Sequence, residues 1–178
     1  MTASNKALPS DYTRVCHTLE PVYDRHSRIL ILGSFPSVKS REHNFYYGHP
    51  QNRFWKLMGR LLEESFPDDY EGKKDILLRR RIALWDVIES CDIKGSSDQS
   101  ICNVTPMNLN RILRAADIGK IITNGSTSYQ LYEKYCLGQT GRSAVKCPST
   151  SPANAAFSLD RLARAWGAEL LPCLDKKE

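Results

Sequence analysis

The stretch "RILILGS", residues 28–34, decides the fold. It is a short, continuous apolar run that ends in glycine and serine, which is typical of a strand buried on both faces within a parallel sheet. Three later runs have the same character: "IALWDVI" (82–88), "KIITNGS" (120–126) and "SAVKCPSTSP" (143–152). We therefore predict four strands.

Between and after these runs, apolar residues recur at the spacing of a helix face. This spacing predicts helices over residues 52–65, 73–81, 108–117, 127–136 and 154–167. Asn154 is the predicted N-cap of the last helix and Gly167 its predicted C-cap. Strands that alternate with helices indicate a parallel sheet covered by helices on both faces.

The composition indicates one globular protein of modest basic charge. The chain has 178 residues, 41% of them hydrophobic, and a formal net charge of +5. We expect one domain over residues 11–174, a flexible tail over residues 1–10, and a monomer. No apolar run approaches the roughly 20 residues that span a bilayer, and the first residues lack the apolar core of a signal peptide. We therefore expect a cytoplasmic protein with no membrane partner, associated with the nucleoid if the source is prokaryotic.

Polar, glycine-containing segments follow three of the predicted strands: "GSFPS", "NGS" and "PSTSP". In parallel sheets, ligands bind in the crevice at the carboxyl ends of the strands, which is where these segments meet. The aromatic stretch "FYYGHPQNRFW" (45–55) lies between the first strand and its helix, on the same rim. The sequence therefore predicts a binding cleft of amides, hydroxyls and aromatic rings.

Several enzyme classes are not indicated by the motifs. The GxSxG elbow of serine hydrolases, the phosphate-binding GxxxxGK[ST] loop, GxGxxG and HExxH are all absent from the sequence. None of the six cysteines forms a CxxC pair, so no metal is expected, and no cofactor is required. Asparagine can match the edge of a base, and aromatic rings stack on bases at about 1–3 kcal/mol each. Together the side chains describe a pocket for one flipped base beside a charged backbone groove.

Four segments, "ILGSFPS", "YYGHPQNRFW", "ITNGS" and "PSTSPANA", resemble the signature segments of the uracil-DNA glycosylase superfamily. In order and spacing they are most similar to its hypoxanthine (deoxyinosine) DNA glycosylase branch. The resemblance implies a three-layer α/β/α sandwich around a four-stranded parallel sheet. It also implies a monofunctional glycosylase that starts base excision repair by hydrolysing the N-glycosidic bond of a deaminated base in double-stranded or single-stranded DNA, and hypoxanthine is the expected base.

One departure from the superfamily pattern concerns the catalytic residue. Most branches place an asparagine or aspartate just after the first strand, where it positions or activates water, whereas this sequence has Ser34 there. The hypoxanthine branch resembles the chain in this respect and uses an asparagine further along, which matches Asn52 of "HPQN". Asn44 is the competing asparagine. Asn52 is preferred because it lies at a predicted helix start, which would hold it rigidly.

The resemblance and the pocket chemistry together assign the remaining site residues. The predicted base-binding residues are Gly33, Ser34, Phe35, Tyr46, Tyr47 and Asn124. The predicted contacts to the DNA backbone are Lys39, Arg53, Ser126, Ser149, Thr150 and Ser151. Asp86 and Asp98 are expected to orient backbone groups or serines rather than to act as a general base. Phe54 and Trp55 are expected to anchor the aromatic stretch in the core while Tyr46 or Tyr47 faces the base, because adjacent residues of an extended segment point to opposite sides.

Two alternatives remain open at the level of the sequence. The first is the same chemistry on uracil or on thymine mispaired with guanine. The second is a non-catalytic module that binds nucleic acid or nucleotides through the same pocket.

Overall fold

The structure is a computed structural model that describes residues 9–95 and 97–174. Residues 1–8 of the predicted tail lie outside the described part of the chain. The centre of the structure is a four-stranded, wholly parallel sheet that consists of β2 (Ile29–Gly33), β3 (Ile82–Asp86), β6 (Lys120–Asn124) and β7 (Val145–Cys147). Their spatial order is β3, β2, β6, β7. All four predicted strands are confirmed.

The two innermost strands of this sheet carry the centre of the core. Every residue of β2 and of β3 is buried, as expected where helices cover both faces. Ile31 lies opposite Leu84 on one side and Ile122 on the other. Val22 pairs with Leu84 at the outer side of β3, so the chain that precedes β2 protects that sheet edge.

Helices flank the sheet and confirm the predicted three-layer α/β architecture. They are α1 (Val38–Glu42), α2 (Phe54–Leu62), α3 (Tyr70–Arg79), α4 (Asn110–Leu113), α5 (Ser126–Leu131), α6 (Leu137–Thr140) and α7 (Leu159–Leu174), with a π-helical turn (Tyr132–Cys136) joining α5 to α6. Helix α2 is strongly amphipathic and packs against α7, burying Phe54, Leu57, Met58 and Leu62.

The predicted ends of the last helix are wrong. Helix α7 begins at Leu159, and the Ser158 hydroxyl accepts a hydrogen bond from the Arg161 backbone N–H, so Ser158 takes the place predicted for Asn154. Gly167 does not end the helix, which continues to Leu174. A Cβ at Gly167 would lie 3.3 Å from Leu61 Cδ2, so this glycine permits close packing of α7 on α2.

A second sheet is present that the sequence patterns did not reveal. It is antiparallel, in the order β1 (Thr13–Cys16), β4 (Ile88–Ile93), β5 (Cys102–Pro106), with a 3₁₀ turn (Asp98–Ser100) before β5. Strand β4 follows β3 after the single residue Val87, so the apolar run "IALWDVI" contains the end of one strand and the start of another. Among residues 9–95 and 97–174, no helix has the length and apolarity needed to cross a bilayer.

Candidate active site

A cleft of about 1000 Å³ opens at the carboxyl ends of the parallel strands. The segments after β2, β6 and β7 form its walls, as the polar segments of the sequence predict, and Asp86 at the end of β3 and residues 97–99 before β5 also line it. All predicted site residues except Arg53 line it: Gly33, Ser34, Phe35, Lys39, Tyr46, Tyr47, Asn52, Asn124, Ser126, Ser149, Thr150 and Ser151. Asn44, the competing asparagine, is exposed and is not among the residues that line the cleft.

Asn52 is held by two hydrogen bonds that use the same atom. Its Oδ1 accepts from the backbone N–H of Phe54 at 3.0 Å and from the hydroxyl of Thr150 at 2.9 Å. The first bond satisfies an otherwise unpaired donor at the start of α2. Because an amide oxygen has two lone pairs, these two hydrogen bonds occupy both of them. The Nδ2 amino group remains, so the chemical group that Asn52 can offer to the cleft is a hydrogen-bond donor.

Thr150 connects Asn52 to the end of strand β6. The Asn124 side-chain N–H donates to the Thr150 hydroxyl at 2.9 Å, and the Thr150 backbone N–H donates to Asn124 Oδ1 at 3.0 Å. Thr150 is fully buried. The residue predicted to contact phosphate therefore has an internal position, in which its hydroxyl accepts from one asparagine and donates to the other.

Arg53 also has a place that differs from the predicted phosphate contact. Its guanidinium donates to the carbonyl oxygens of Ser151 at 2.9 Å and Asn154 at 3.0 Å, and also to that of Phe157. Its Nε lies 3.4 Å from the Thr150 carbonyl. The donors of Arg53 thus hold the loop 150–157, which forms one wall of the cleft. Motif spacing could not reveal this role, because the partners are backbone groups about a hundred residues away.

Both tyrosines of the aromatic stretch pack inward, so the prediction that only one of them could do so is wrong. Tyr47 has a φ of 53°, and this left-handed backbone breaks the alternation of an extended segment. Tyr46 donates its hydroxyl to the Glu20 carbonyl at 2.8 Å, while the ring of Tyr47 stacks on Phe54 with centroids 4.1 Å apart. Burial and the nearby charge of Asp86 raise the pKa of both tyrosines, so both are neutral.

The prediction for Phe54 and Trp55 matches their packing. Phe54 is fully buried, and Trp55 packs against the core while its indole N–H donates to the Tyr46 carbonyl at 2.9 Å. These contacts join the aromatic stretch to helix α2, which also positions Asn52.

Among the described residues, three carboxylates line the cleft in addition to the predicted amides and hydroxyls: Glu42, which pairs with Lys39, and the two aspartates Asp86 and Asp98. Asp98 accepts a hydrogen bond from the Ser34 hydroxyl at 3.0 Å, as expected for a carboxylate that orients a serine. Burial raises the pKa of Asp98, and the charge of Asp86 acts in the same direction while the bond from Ser34 opposes it. Asp86 lies 2.7 Å from Nε2 of His17. His17 was not singled out in the sequence, because it lies outside every motif.

Cations at the cleft rim are few. Lys39 pairs with Glu42 at 3.0 Å, and Lys146 lies over the ring of Tyr129. Within the described part of the chain, no group of three or more His, Cys, Asp or Glu side chains is arranged to hold a metal ion.

The fold and the cleft define the class: an α/β protein with a ligand site at the carboxyl ends of its parallel strands. A doubly covered parallel sheet carries, at the ends of its strands, a cavity of aromatic rings, amides and hydroxyls large enough for a nucleotide. Comparison with known proteins then identifies the family. The model of the uracil DNA glycosylase superfamily matches residues 20–168, and the chain belongs to that superfamily.

Named relatives agree with this assignment. The chain is 35% identical over 141 residues to a hypoxanthine DNA glycosylase from Methanosarcina acetivorans, covering 79% of this chain and 89% of the relative. It is 36% identical over 111 residues to a hypoxanthine DNA glycosylase from Methanosarcina barkeri, covering 61% of this chain and 70% of the relative. The predicted resemblance to the hypoxanthine branch is thereby confirmed, and the chain is a DNA glycosylase that acts on DNA.

A solved structure shows the same fold. It is the solution NMR structure of a Methanosarcina acetivorans protein provisionally assigned as a uracil DNA glycosylase. It superposes with a TM-score of 0.73 at 32% identity, covering 92% of this chain and all of the other.

Proposed function

We propose that this DNA glycosylase extrudes hypoxanthine from DNA and hydrolyses its N-glycosidic bond, leaving an abasic site. The names of the two Methanosarcina relatives support this substrate. The observation that carries the mechanism is the hydrogen bonding of Asn52, whose oxygen is occupied by Phe54 and Thr150 and whose amino group is left for the cleft.

The reaction needs stabilisation of opposite charges as the bond breaks. When the bond between C1′ and the base nitrogen lengthens, its electron pair moves to the purine and the sugar becomes cationic. A donor fixed at the cleft stabilises the anion that forms on the leaving base. The DNA phosphates stabilise the cationic sugar, so a strong general base is not essential. Water then bonds to C1′ and gives up a proton, and the departing base takes up a proton.

Asn52 suits the role of that donor. The two bonds to its oxygen fix the amide plane and come from a helix start and a buried threonine. A polar group held in this way keeps its geometry during the reaction and costs no reorganisation. The oxygen cannot also take a proton from water without losing a present partner. We therefore assign Asn52 to charge stabilisation rather than to water activation.

The rim of the cleft suits the DNA backbone. Lys39, Lys146, Ser126, Ser149 and Ser151 line the cleft and offer ammonium or hydroxyl donors for phosphate oxygens. We further propose that the enzyme is a monomer of the cytoplasm that needs no cofactor.

A glycosylase assay on matched duplexes tests the substrate. Duplexes that carry one inosine, one uracil, one xanthine or one thymine–guanine mismatch are treated with enzyme. Abasic sites are quantified as strand breaks after alkaline cleavage. We expect inosine duplex to be cleaved fastest. Robust cleavage of uracil without cleavage of inosine would contradict the substrate, and binding without any cleavage would favour a non-catalytic module.

A further inference from the structure

A buried pair beside the cleft, Asp86 and His17, has no part in the proposed mechanism. Asp86 is the last residue of β3 and lines the cleft, and the side chains of Asp86 and His17 are 5% and 2% exposed. Oδ2 of Asp86 and Nε2 of His17 are 2.7 Å apart. A buried carboxylate is costly unless it is hydrogen-bonded, and this one is placed at the end of a central strand where ligands bind.

The hydrogen bonds determine which nitrogen of His17 carries the proton. The backbone N–H of Leu19 donates to Nδ1 at 3.2 Å, so Nδ1 is the acceptor of the ring. Nε2 therefore carries the proton and donates it to Asp86 Oδ2. This pairing fixes one oxygen of the carboxylate on the side away from the cleft.

The second oxygen, Oδ1, lies against the first loop of the cleft. A Cβ built on Gly33 would lie 2.3 Å from Oδ1 and 3.2 Å from the Tyr47 hydroxyl oxygen. Because Gly33 has no Cβ, there is room for Oδ1 at this position. Among residues 9–95 and 97–174, no side-chain or backbone group donates a hydrogen bond to Oδ1. The cleft therefore holds a fixed acceptor that lacks a donor.

Deaminated bases supply the donor that this acceptor lacks. Deamination of adenine gives hypoxanthine and turns N1 from an unprotonated acceptor into an N–H donor. Deamination of cytosine to uracil makes the same change at N3. A carboxylate oxygen accepts from these N–H groups and repels the lone pair of the undamaged base. Guanine already carries N1–H, so its rejection must depend on its 2-amino group.

We propose that Asp86 Oδ1 accepts the ring N–H of the extruded base and selects deaminated bases over adenine and cytosine. His17 is a positioning residue, because its N–H keeps Oδ2 away from the base and leaves Oδ1 to face it. The proposal rests on the proposed function of the cleft and names the group that recognises its substrate.

A binding experiment tests this without requiring cleavage. Duplexes carry a 2′-fluoro nucleotide, which blocks cleavage by destabilising the cationic sugar, with either hypoxanthine or unsubstituted purine as the base. Unsubstituted purine has an unprotonated N1. We expect wild-type enzyme to prefer the hypoxanthine duplex by about 10- to 100-fold, the value of one hydrogen bond to a charged group.

The Asp86→Asn variant should lose this preference. Because the N–H of His17 still needs an acceptor, the amide oxygen turns toward His17 and the amino group faces the cleft, where it repels the ring N–H. The ratio of the two affinities should fall to within about threefold of one or invert. Asp75→Asn is the matched control, since Asp75 is exposed on α3 and outside the cleft. An unchanged ratio in Asp86→Asn would overturn the proposal.

The role of His17 is tested by a double variant. In His17→Leu with Asp86→Asn, the asparagine amide is free to turn its oxygen toward the base, so part of the hypoxanthine preference should return. A simple structural role for His17 would lower both affinities further and leave the ratio as in Asp86→Asn. Circular dichroism verifies that each variant is folded. A ratio no higher than that of Asp86→Asn would contradict the positioning role.

Cleavage assays separate this proposal from the proposed function and from a general-base role for Asp86. If wild-type enzyme cleaves no duplex yet shows the binding preference, the glycosylase proposal fails and the recognition proposal stands. If Asp86→Asn slows cleavage of unmodified hypoxanthine and purine duplexes equally, with an unchanged binding ratio, Asp86 acts on water and the recognition proposal fails.

Discussion

At the scale of single residues, the candidate site depends on one threonine, Thr150, which orients two asparagines and has no role of its own in the reaction. The Thr150 hydroxyl accepts from Asn124 and donates to Asn52, so it sets the direction of both amides. The sequence indicated Asn52 and Asn124 through their motifs, but a threonine in "PSTSP" looked like any other loop hydroxyl. Its burial depends on how the loop folds back, which is a property of the tertiary structure.

Replacing Thr150 by valine tests this connection. The variant keeps the shape of the side chain and removes the hydroxyl, leaving the Asn124 amide without its partner and Asn52 Oδ1 with one donor. The free energy of unfolding should fall by about 1–3 kcal/mol in urea titrations. Single-turnover cleavage of an inosine duplex should slow by at least about tenfold as the Asn52 amide loses its fixed direction. Thr150→Ser keeps the hydroxyl and should lie near wild type. Loss in Thr150→Ser with little change in Thr150→Val would mean that the methyl group matters and the hydroxyl does not.

At the scale of elements, helix α2 and the loop 150–157 form one unit. Asn52 accepts from the first backbone N–H of α2, and Arg53, the N-cap residue, donates to carbonyl oxygens along the loop. The strong helical spacing after residue 52 made this helix predictable, and its first residue, Phe54, is close to the predicted start. The use of Arg53 was not predictable, because a basic residue beside a predicted active site is equally suited to a phosphate.

Replacing Arg53 by methionine tests whether it holds the loop. The side chain keeps its apolar stem and loses every donor to the loop carbonyls. We expect faster hydrogen exchange of the backbone amides in residues 150–157 and a loss of at least about 1.5 kcal/mol in the free energy of unfolding. Arg60→Met on helix α2 is the control, since Arg60 forms an exposed pair with Asp160 and its loss should leave the free energy of unfolding close to that of the wild type. Unchanged hydrogen exchange of the amides in residues 150–157 of Arg53→Met would show that Arg53 does not hold the loop and is free to contact DNA.

At the scale of the whole molecule, the parallel sheet was predictable and the antiparallel sheet was not. Strands β2 and β3 are apolar throughout because they are buried on both faces, and that leaves a clear signal. Strand β5 alternates intermediate and exposed residues, and β1 is largely exposed. Both pair with β4, which in the sequence looks like a continuation of β3. Packing decides which distant segments with weak patterns pair with each other, and the local sequence carries no signal for that pairing.

DNA affinity also depends on the whole molecule, through its net charge and the groups at the rim of the cleft. The chain carries a formal net charge of +5, and lysines and hydroxyls line the rim of the cleft. We expect the logarithm of DNA affinity to fall linearly with the logarithm of salt concentration, with a slope of about 0.9 per neutralised phosphate. Fluorescence anisotropy of a labelled duplex between low and physiological salt measures this slope. A flat response would indicate a free base or nucleotide as the ligand.

Asn52→Asp tests most directly whether Asn52 acts as a hydrogen-bond donor on the leaving base. Aspartate keeps the bonds to Phe54 and Thr150 and replaces the amino group by a second acceptor. The single-turnover rate constant for release of hypoxanthine from an inosine duplex should fall by at least about 100-fold in both Asn52→Asp and Asn52→Ala. Asn52→Ala should also lower the free energy of unfolding by about 1 kcal/mol, because the hydrogen bond at the start of α2 is lost. Asn44→Ala, outside the cleft, should be close to wild type. If Asn52→Asp cleaves as fast as wild type or faster, the residue activates water, which contradicts a donor role on the leaving base.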